Sequence, residues 1–187
     1  MCHGPSEASV WVRRFADRIP AGGRVLDLAA GNGRHTRLMA ALGHPVVAVD
    51  RDVSGLEDLS GHPAVTIVFF DLEEREFWPF GRDQFAGVIV TNYLHRPLLS
   101  AIVAAVGQMG CLIYETFAVG NQRFGKPSNP AYLLRPGELL NAVHGRLTVL
   151  AYENLEVTEP RPAMVQRIAA VAPAWQRPGN PIHIGLD

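Results

Sequence analysis

The chain has 187 residues, enough to bury the core of one domain without disulfide or metal staples. Hydrophobic residues make up 48% and charged residues 19%, an ordinary balance for a soluble α/β protein. The formal net charge of −1 gives no basic field to hold nucleic acid, no apolar run approaches the ~18 residues that span a bilayer, and no CxxC pair supports a zinc knuckle.

The first seven residues carry no basic stretch followed by an apolar core, so no secretory signal is expected and the expected compartment is the cytoplasm. Cys2 and Cys111 read as free, reduced thiols. A first helical segment is expected over 6–19, capped by Ser6, with Trp11, Phe15 and Ile19 as its buried stripe at i, i+4 and i+8. The Pro20-Ala21-Gly22-Gly23 break leads into a strand at 24–29, and Gly31-Asn32-Gly33 turns the chain into a helix at 34–41 closed by Gly43. A second strand at 45–49 ends on Asp50, Ser54 caps a short helix to Leu59, and a third strand at 64–70 ends on Asp71. The fourth strand, 85–91, ends on Asn92; a helix at 97–106 follows, then a fifth strand at 110–117. These runs are nearly all apolar rather than alternating, as strands buried on both faces are, which predicts a parallel sheet with helices on each side.

The last third differs. Residues 117–134 are rich in Gly, Asn and Pro and read as a long loop, with Pro136 in the first turn of a helix through Val143. Only five residues separate 147–157 from 163–171, too few for a helical crossover, so an antiparallel hairpin is expected there. The proline-rich tail from 173 reads as irregular. The expected architecture is α/β: a doubly wound, mostly parallel seven-stranded sheet with a C-terminal antiparallel hairpin. It forms one domain over 1–187, with a ligand-binding half at 24–118, a lid-like loop at 119–135 and the hairpin at 146–172.

A strand entering Gly-x-Gly and then a helix lets backbone approach a ligand closely. The dinucleotide fingerprint wants a third glycine three residues after the second, and Thr36 stands there. Carboxylates at successive strand ends add to the pattern. Asp27 precedes the turn and can hold a cationic amine, Asp50 can accept from ribose hydroxyls, and Asp71 can accept from an adenine amino group. Val25-Leu26-Asp27-Leu28-Ala29-Ala30-Gly31-Asn32-Gly33, Val47-Ala48-Val49-Asp50, Phe70-Asp71-Leu72 and Val88-Ile89-Val90-Thr91-Asn92 together resemble the class I S-adenosylmethionine-dependent methyltransferases. Arg34-His35 and Asn92-Tyr93-Leu94-His95-Arg96 resemble the small tellurite-resistance-type branch. The resemblance implies S-adenosylmethionine as cofactor, with Asp27, Ala29, Gly31 and Gly33 around its methionine part, Asp50 on the ribose, and Asp71 and Leu72 on the adenine. Arg51 would then lie along the adenine face and Asn92 beside the sulfonium.

Catalytic candidates are Tyr93, His95 and Glu115. Tyr93 either walls the transfer pocket or packs at the adenine edge; His95 and Arg96 are either site groups or a solvated helix start. Glu115 is either a base or the partner of an arginine, and His35 more readily orients the glycine turn than takes part in catalysis. Arg96, Arg123 and Lys126 are candidate substrate contacts; within the loop stretch, Arg123, Lys126 and nearby Arg135 face no acidic residue between Thr116 and Gly137. A lid favouring an anionic ligand and an ordinary solvated loop are the two readings of that stretch. The expected acceptor is a small molecule, with no nucleic acid, membrane or metal involved and a homodimer possible. The rival functions are a non-catalytic S-adenosylmethionine-binding or scaffold module and an NAD(P)-dependent oxidoreductase.

Overall fold

A computed structural model describes residues 7–74 and 77–176. Seven strands form one sheet: β1 (Val25–Leu28), β2 (Val46–Asp50), β3 (Val65–Phe69), β4 (Phe85–Thr91), β5 (Val106–Phe117), β6 (Thr148–Val157) and β7 (Ala163–Val171). Their order is β3-β2-β1-β4-β5-β7-β6. The five strands from β1 to β5 run parallel, and β7 pairs antiparallel with both β5 and β6. The expected sheet and terminal hairpin are therefore present. The order reverses between β1 and β4, the switch point where open α/β sheets place ligands.

Although the central parallel strands are largely apolar, their side chains still alternate between two faces. Leu26, Leu28, Val88, Val90 and Leu112 pack on one side with Ile102 of α3 (Leu99–Ala104) and Leu139 and Val143 of α4 (Glu138–Val143). Val25, Val46, Ile89 and Ile113 pack on the other with Trp11 and Phe15 of α1 (Val10–Phe15) and Met39 of α2 (Arg34–Ala41). Trp11 fixes α1 to the sheet as well as filling space, because its indole N–H donates to the carbonyl of Ile168 at 3.2 Å.

Several elements differ from expectation. Ser6 lies outside the described residues, as do Cys2 and the tail beyond 176; the N-cap of α1 is Ser9, whose side chain accepts from the Trp11 N–H. The helix expected at 97–106 begins as a 3-10 turn, Arg96–Leu98, and ends at Ala104. The segment at 54–59 is likewise a 3-10 helix. β5 starts four residues early, because Val106 pairs with Phe85 before an irregularity lets Cys111 pair with Gly87. No helix among the described residues is long and apolar enough to cross a membrane.

The long loop is tied down at both feet. Leu134 N–H donates to the carbonyl of Phe117, and Val119 N–H to that of Leu134. Asn121, 1% exposed, donates to the Pro127 carbonyl at 3.0 Å and accepts from the Met164 N–H at 3.1 Å. The second of these partners, Met164, lies on the far strand β7, which sequence spacing does not reveal.

Candidate functional site

A cavity of about 630 Å³ opens at the carboxyl ends of β1, β2 and β4, where the strand order reverses. One end is walled by Ala29, Gly31, Asn32 and Arg34 from the turn after β1, the other by Asp50, Arg51, Asp71 and Leu72 from the ends of β2 and β3. Asn92 and Tyr93 follow β4, and Phe117, Pro127 and Tyr132 close the side from β5 and the long loop.

The glycine turn shows why each glycine is there. Gly31 has φ +55°, and a Cβ on it would meet nothing within 4 Å, so its backbone faces open cavity. Its N–H donates to Asp50 Oδ2 at 2.7 Å, tying the turn to the end of β2. Gly33 has φ +73° and caps α2, but a Cβ there would lie 2.5 Å from Leu56 Cδ2. It lets the helix start pack against the 3-10 turn and does not line the cavity. Ala29 and Asn92, the residues leaving β1 and β4, both hold φ +54° although neither is glycine. Such strain persists only where the surroundings over-determine it, and it gathers at ligand sites.

The strand-end carboxylates keep acceptor capacity. Asp50 takes the Gly31 N–H on one oxygen and the Asp52 N–H on the other, leaving lone pairs on each. Asp71 takes the N–H groups of Glu73 and Glu74 on Oδ1 alone, and its Oδ2 has no partner among the described residues. A cluster of hydroxyls, an amino group and a purine edge suits this donor and acceptor set. The residues present therefore fit an adenosine cofactor.

Asp27 is placed differently. It shares the parity of Val25 along β1, so its side chain turns to the α2 face, is 1% exposed and lies outside the cavity lining. Thr36 Oγ1 donates to its Oδ2 at 2.6 Å. Burial nevertheless dominates and raises its pKa from 3.8 to about 6. His35 is also buried, and burial, helped by the Arg34 charge, lowers its pKa to about 3. The Ser9 N–H donates to His35 Nε2 at 3.2 Å, so the neutral ring carries its proton on Nδ1, 3.4 Å from Thr91 Oγ1. His35 thus joins α1, the glycine turn and the end of β4 structurally.

The candidate catalytic groups do not converge. The Tyr93 ring borders the cavity, but its hydroxyl is buried without a partner, and burial raises the phenol further from ionisation. His95 lines neither this cavity nor its neighbour. Glu115 accepts from Ser9 Oγ at 2.7 Å and is paired with Arg167 at 3.1 Å; Arg167 also bonds Glu153 and lies 4.7 Å from the Trp11 ring centre.

The substrate candidates are committed elsewhere or lie outside. Arg96 forks onto both oxygens of Glu138, at 2.6 and 3.0 Å, and donates to the carbonyls of Ala131 and Leu133. It anchors the loop. Arg123 pairs with Glu156 of β6 at 3.4 Å, and neither Arg123 nor Lys126 lines a cavity near the strand ends. Residues that sequence reasoning passed over are Arg34 and Phe117, which border both this cavity and a second one.

That second cavity, about 400 Å³, lies between the segment leading into α1 and the β6–β7 hairpin. Arg34, Asn92 and Phe117 are common to both linings and so mark the border, or doorway, that the two cavities share.

No family model and no curated protein matches the chain. Solved structures do. A Burkholderia thailandensis 1,6-didemethyltoxoflavin-N1-methyltransferase, crystallised with 1,6-didemethyltoxoflavin and S-adenosylhomocysteine, is 20% identical with a TM-score of 0.66, over 87% of this chain and 76% of its own. A TehB-like S-adenosylmethionine-dependent methyltransferase from Corynebacterium glutamicum is 18% identical with a TM-score of 0.61, over 87% and 86%. An S-adenosylmethionine-dependent methyltransferase from Mesorhizobium loti is 17% identical with a TM-score of 0.64, over 85% and 96%. At such identities the likeness is one of architecture: the chain has the fold of the class I S-adenosylmethionine-dependent methyltransferases.

Proposed function

We propose that the larger cavity binds S-adenosylmethionine and that the chain transfers its methyl group to a small-molecule acceptor entering through the smaller cavity. The observation that carries this reading is the cavity at the switch point, with Asp50 and Asp71 on its wall and lone pairs to spare. When bound, the cofactor would supply an electrophilic methyl group for the acceptor's lone pair, with the neutral thioether as leaving group. The chain's own part is placement and exclusion of water. Asp50 and Asp71 fix the adenosine, and Gly31 and Ala29 admit the chain beyond it. Phe117, Pro127 and Tyr132 shield that part from solvent. A cavity of 400 Å³ beside the doorway suits a small molecule rather than a polymer.

Calorimetric titration tests the reading directly. S-adenosylmethionine and S-adenosylhomocysteine are expected to bind in the micromolar range, with NADH and NADPH silent. Asp50→Ala is expected to weaken binding by at least 30-fold on the order of two charge-assisted hydrogen bonds. Preference for a nicotinamide, or unchanged affinity in Asp50→Ala, refutes it.

A further inference from the structure

We propose that the smaller cavity takes an apolar molecule bearing one acidic group and binds it as its anion, with Arg34 and Arg161 receiving the charge at the doorway. This rests on the acceptor reading above and names the acceptor's class.

Three observations carry it. The walls are mainly apolar: Val10, which is 68% exposed on α1, faces Phe117, Val157, Pro160, Ala163 and Val165. An apolar body is what such walls hold. The charges on the lining then sort themselves. Glu7 pairs with Arg13 at 3.0 Å and Glu115 with Arg167 at 3.1 Å, so those four cancel. Arg34 and Arg161 make no ion pair among the described residues, and Glu159, exposed on the β6–β7 turn, is the remaining carboxylate on the lining. Both unpaired guanidiniums flank the doorway itself. Arg34 lines both cavities, and Arg161 lies 5.8 Å from the centre of Phe117, whose ring also borders both.

The third observation is the want of a free base. Glu115 is held by Ser9 and Arg167, the Tyr93 hydroxyl is turned inward, and His95 lines neither cavity. None of these three is placed to remove an acceptor's proton, and the remaining carboxylate, Glu159, sits out on the exposed β6–β7 turn. An acceptor that ionises to solvent on binding needs no base: its proton goes to bulk water, and two guanidiniums stabilise the anion left behind. The cations thus supply what a base would, by favouring the nucleophilic form rather than by taking the proton.

4-Nitrophenol is a suitable probe, because its anion absorbs visibly and its size suits the cavity. The protein is titrated with it across pH, with and without saturating S-adenosylhomocysteine, alongside the neutral isostere 4-nitroanisole. The anion is expected to bind at least tenfold more tightly than the ether, so that the probe ionises about one pH unit lower when bound. Arg161→Gln is expected to remove most of that preference, and Arg161→Lys to restore part of it. Equal binding of phenolate and ether, an unshifted ionisation, or an Arg161→Gln protein that keeps the full preference overturns the proposal. S-adenosylhomocysteine binding in the same samples reports on the larger cavity separately. If S-adenosylhomocysteine binds and the phenolate preference is missing, only this inference falls; if the preference is present and S-adenosylhomocysteine does not bind, the methyl-transfer reading falls alone.

Discussion

Replacing Asp27 with asparagine separates two roles that a carboxylate before a glycine turn can have. In the structure the group is 1% exposed and satisfied by Thr36, so ionising it works against burial, and its pKa stands near 6 instead of 3.8. The folded protein therefore holds this proton more tightly than the unfolded chain does. Stability is unaffected by the group below pH 3.8 and falls as pH rises through about 6. The full loss is about 3 kcal/mol, and roughly 2 kcal/mol of it falls between pH 4.5 and 7.5. Asparagine accepts the same Thr36 hydrogen bond and carries no charge. Urea unfolding of both proteins at the two pH values gives the double difference, in which His35 cancels because it is present in each. The stability of Asp27→Asn relative to wild type is expected to rise by roughly 2 kcal/mol between pH 4.5 and 7.5, equivalent to about 5 °C in Tm for a chain of this size. S-adenosylhomocysteine affinity is expected to stay within about threefold. A pH-independent difference refutes the burial argument. A loss of affinity beyond tenfold refutes the placement of Asp27 outside the cavity.

Two further substitutions test the walls of the site. Tyr93→Phe removes a buried hydroxyl without a partner and leaves the ring on the cavity wall; Tm is expected to hold or rise by a few degrees, about 1 kcal/mol, and a fall shows that the hydroxyl is bonded after all. Arg96→Ala frees the loop by breaking the fork to Glu138 and the bonds to Ala131 and Leu133, with an expected cost of about 2 kcal/mol in urea unfolding and faster proteolysis between residues 121 and 131. Lysine at 96 is expected not to rescue it, since an ammonium cannot span both oxygens and two carbonyls. Rescue by lysine shows that charge alone matters there.

The residues that the sequence makes legible are those whose environment is local or periodic. β1, β2 and β4 announce themselves as unbroken apolar runs, and the short link between β6 and β7 leaves only a hairpin. Gly31 falls in the turn after β1 and Asp50 at the end of β2, as expected, because strand length and turn geometry leave little choice where they go. What is lost is whatever depends on which face a strand residue takes or on a distant partner. Asp27 was expected at the ligand on the strength of its position, but two-residue alternation turns it to the α2 face. Arg123 reads as unpaired because Glu156 lies 33 residues further on, and Arg96 reads as a site group or a solvated helix start because Glu138 lies 42 residues further on. Ser9 gives no signal as an α1 cap that also holds Glu115, since nothing in the spacing links residues 106 apart.

The same distinction explains how the cavity keeps its shape. The two strained residues, Ala29 and Asn92, sit on neighbouring strands at the switch point, and each is followed or held by a bond to the next strand. Ala30 N–H donates to the carbonyl of Val49, and Asn92 N–H to that of Glu115. Glu115 is in turn fixed through its side chain to Ser9 and Arg167, so the strand that holds Asn92 is itself tied to α1 and β7. His35 closes the circuit by joining Ser9 to Thr91, the residue before Asn92. Left-handed backbone at a non-glycine residue costs on the order of 1 kcal/mol or more, and it is stable here because the sheet and this polar circuit leave no room to relax. The polar residues there therefore divide by where their bonds go: Glu115, His35 and Arg167 spend theirs on the scaffold, while Asp50 and Asp71 keep unfilled lone pairs and Arg34 and Arg161 make no ion pair among the described residues.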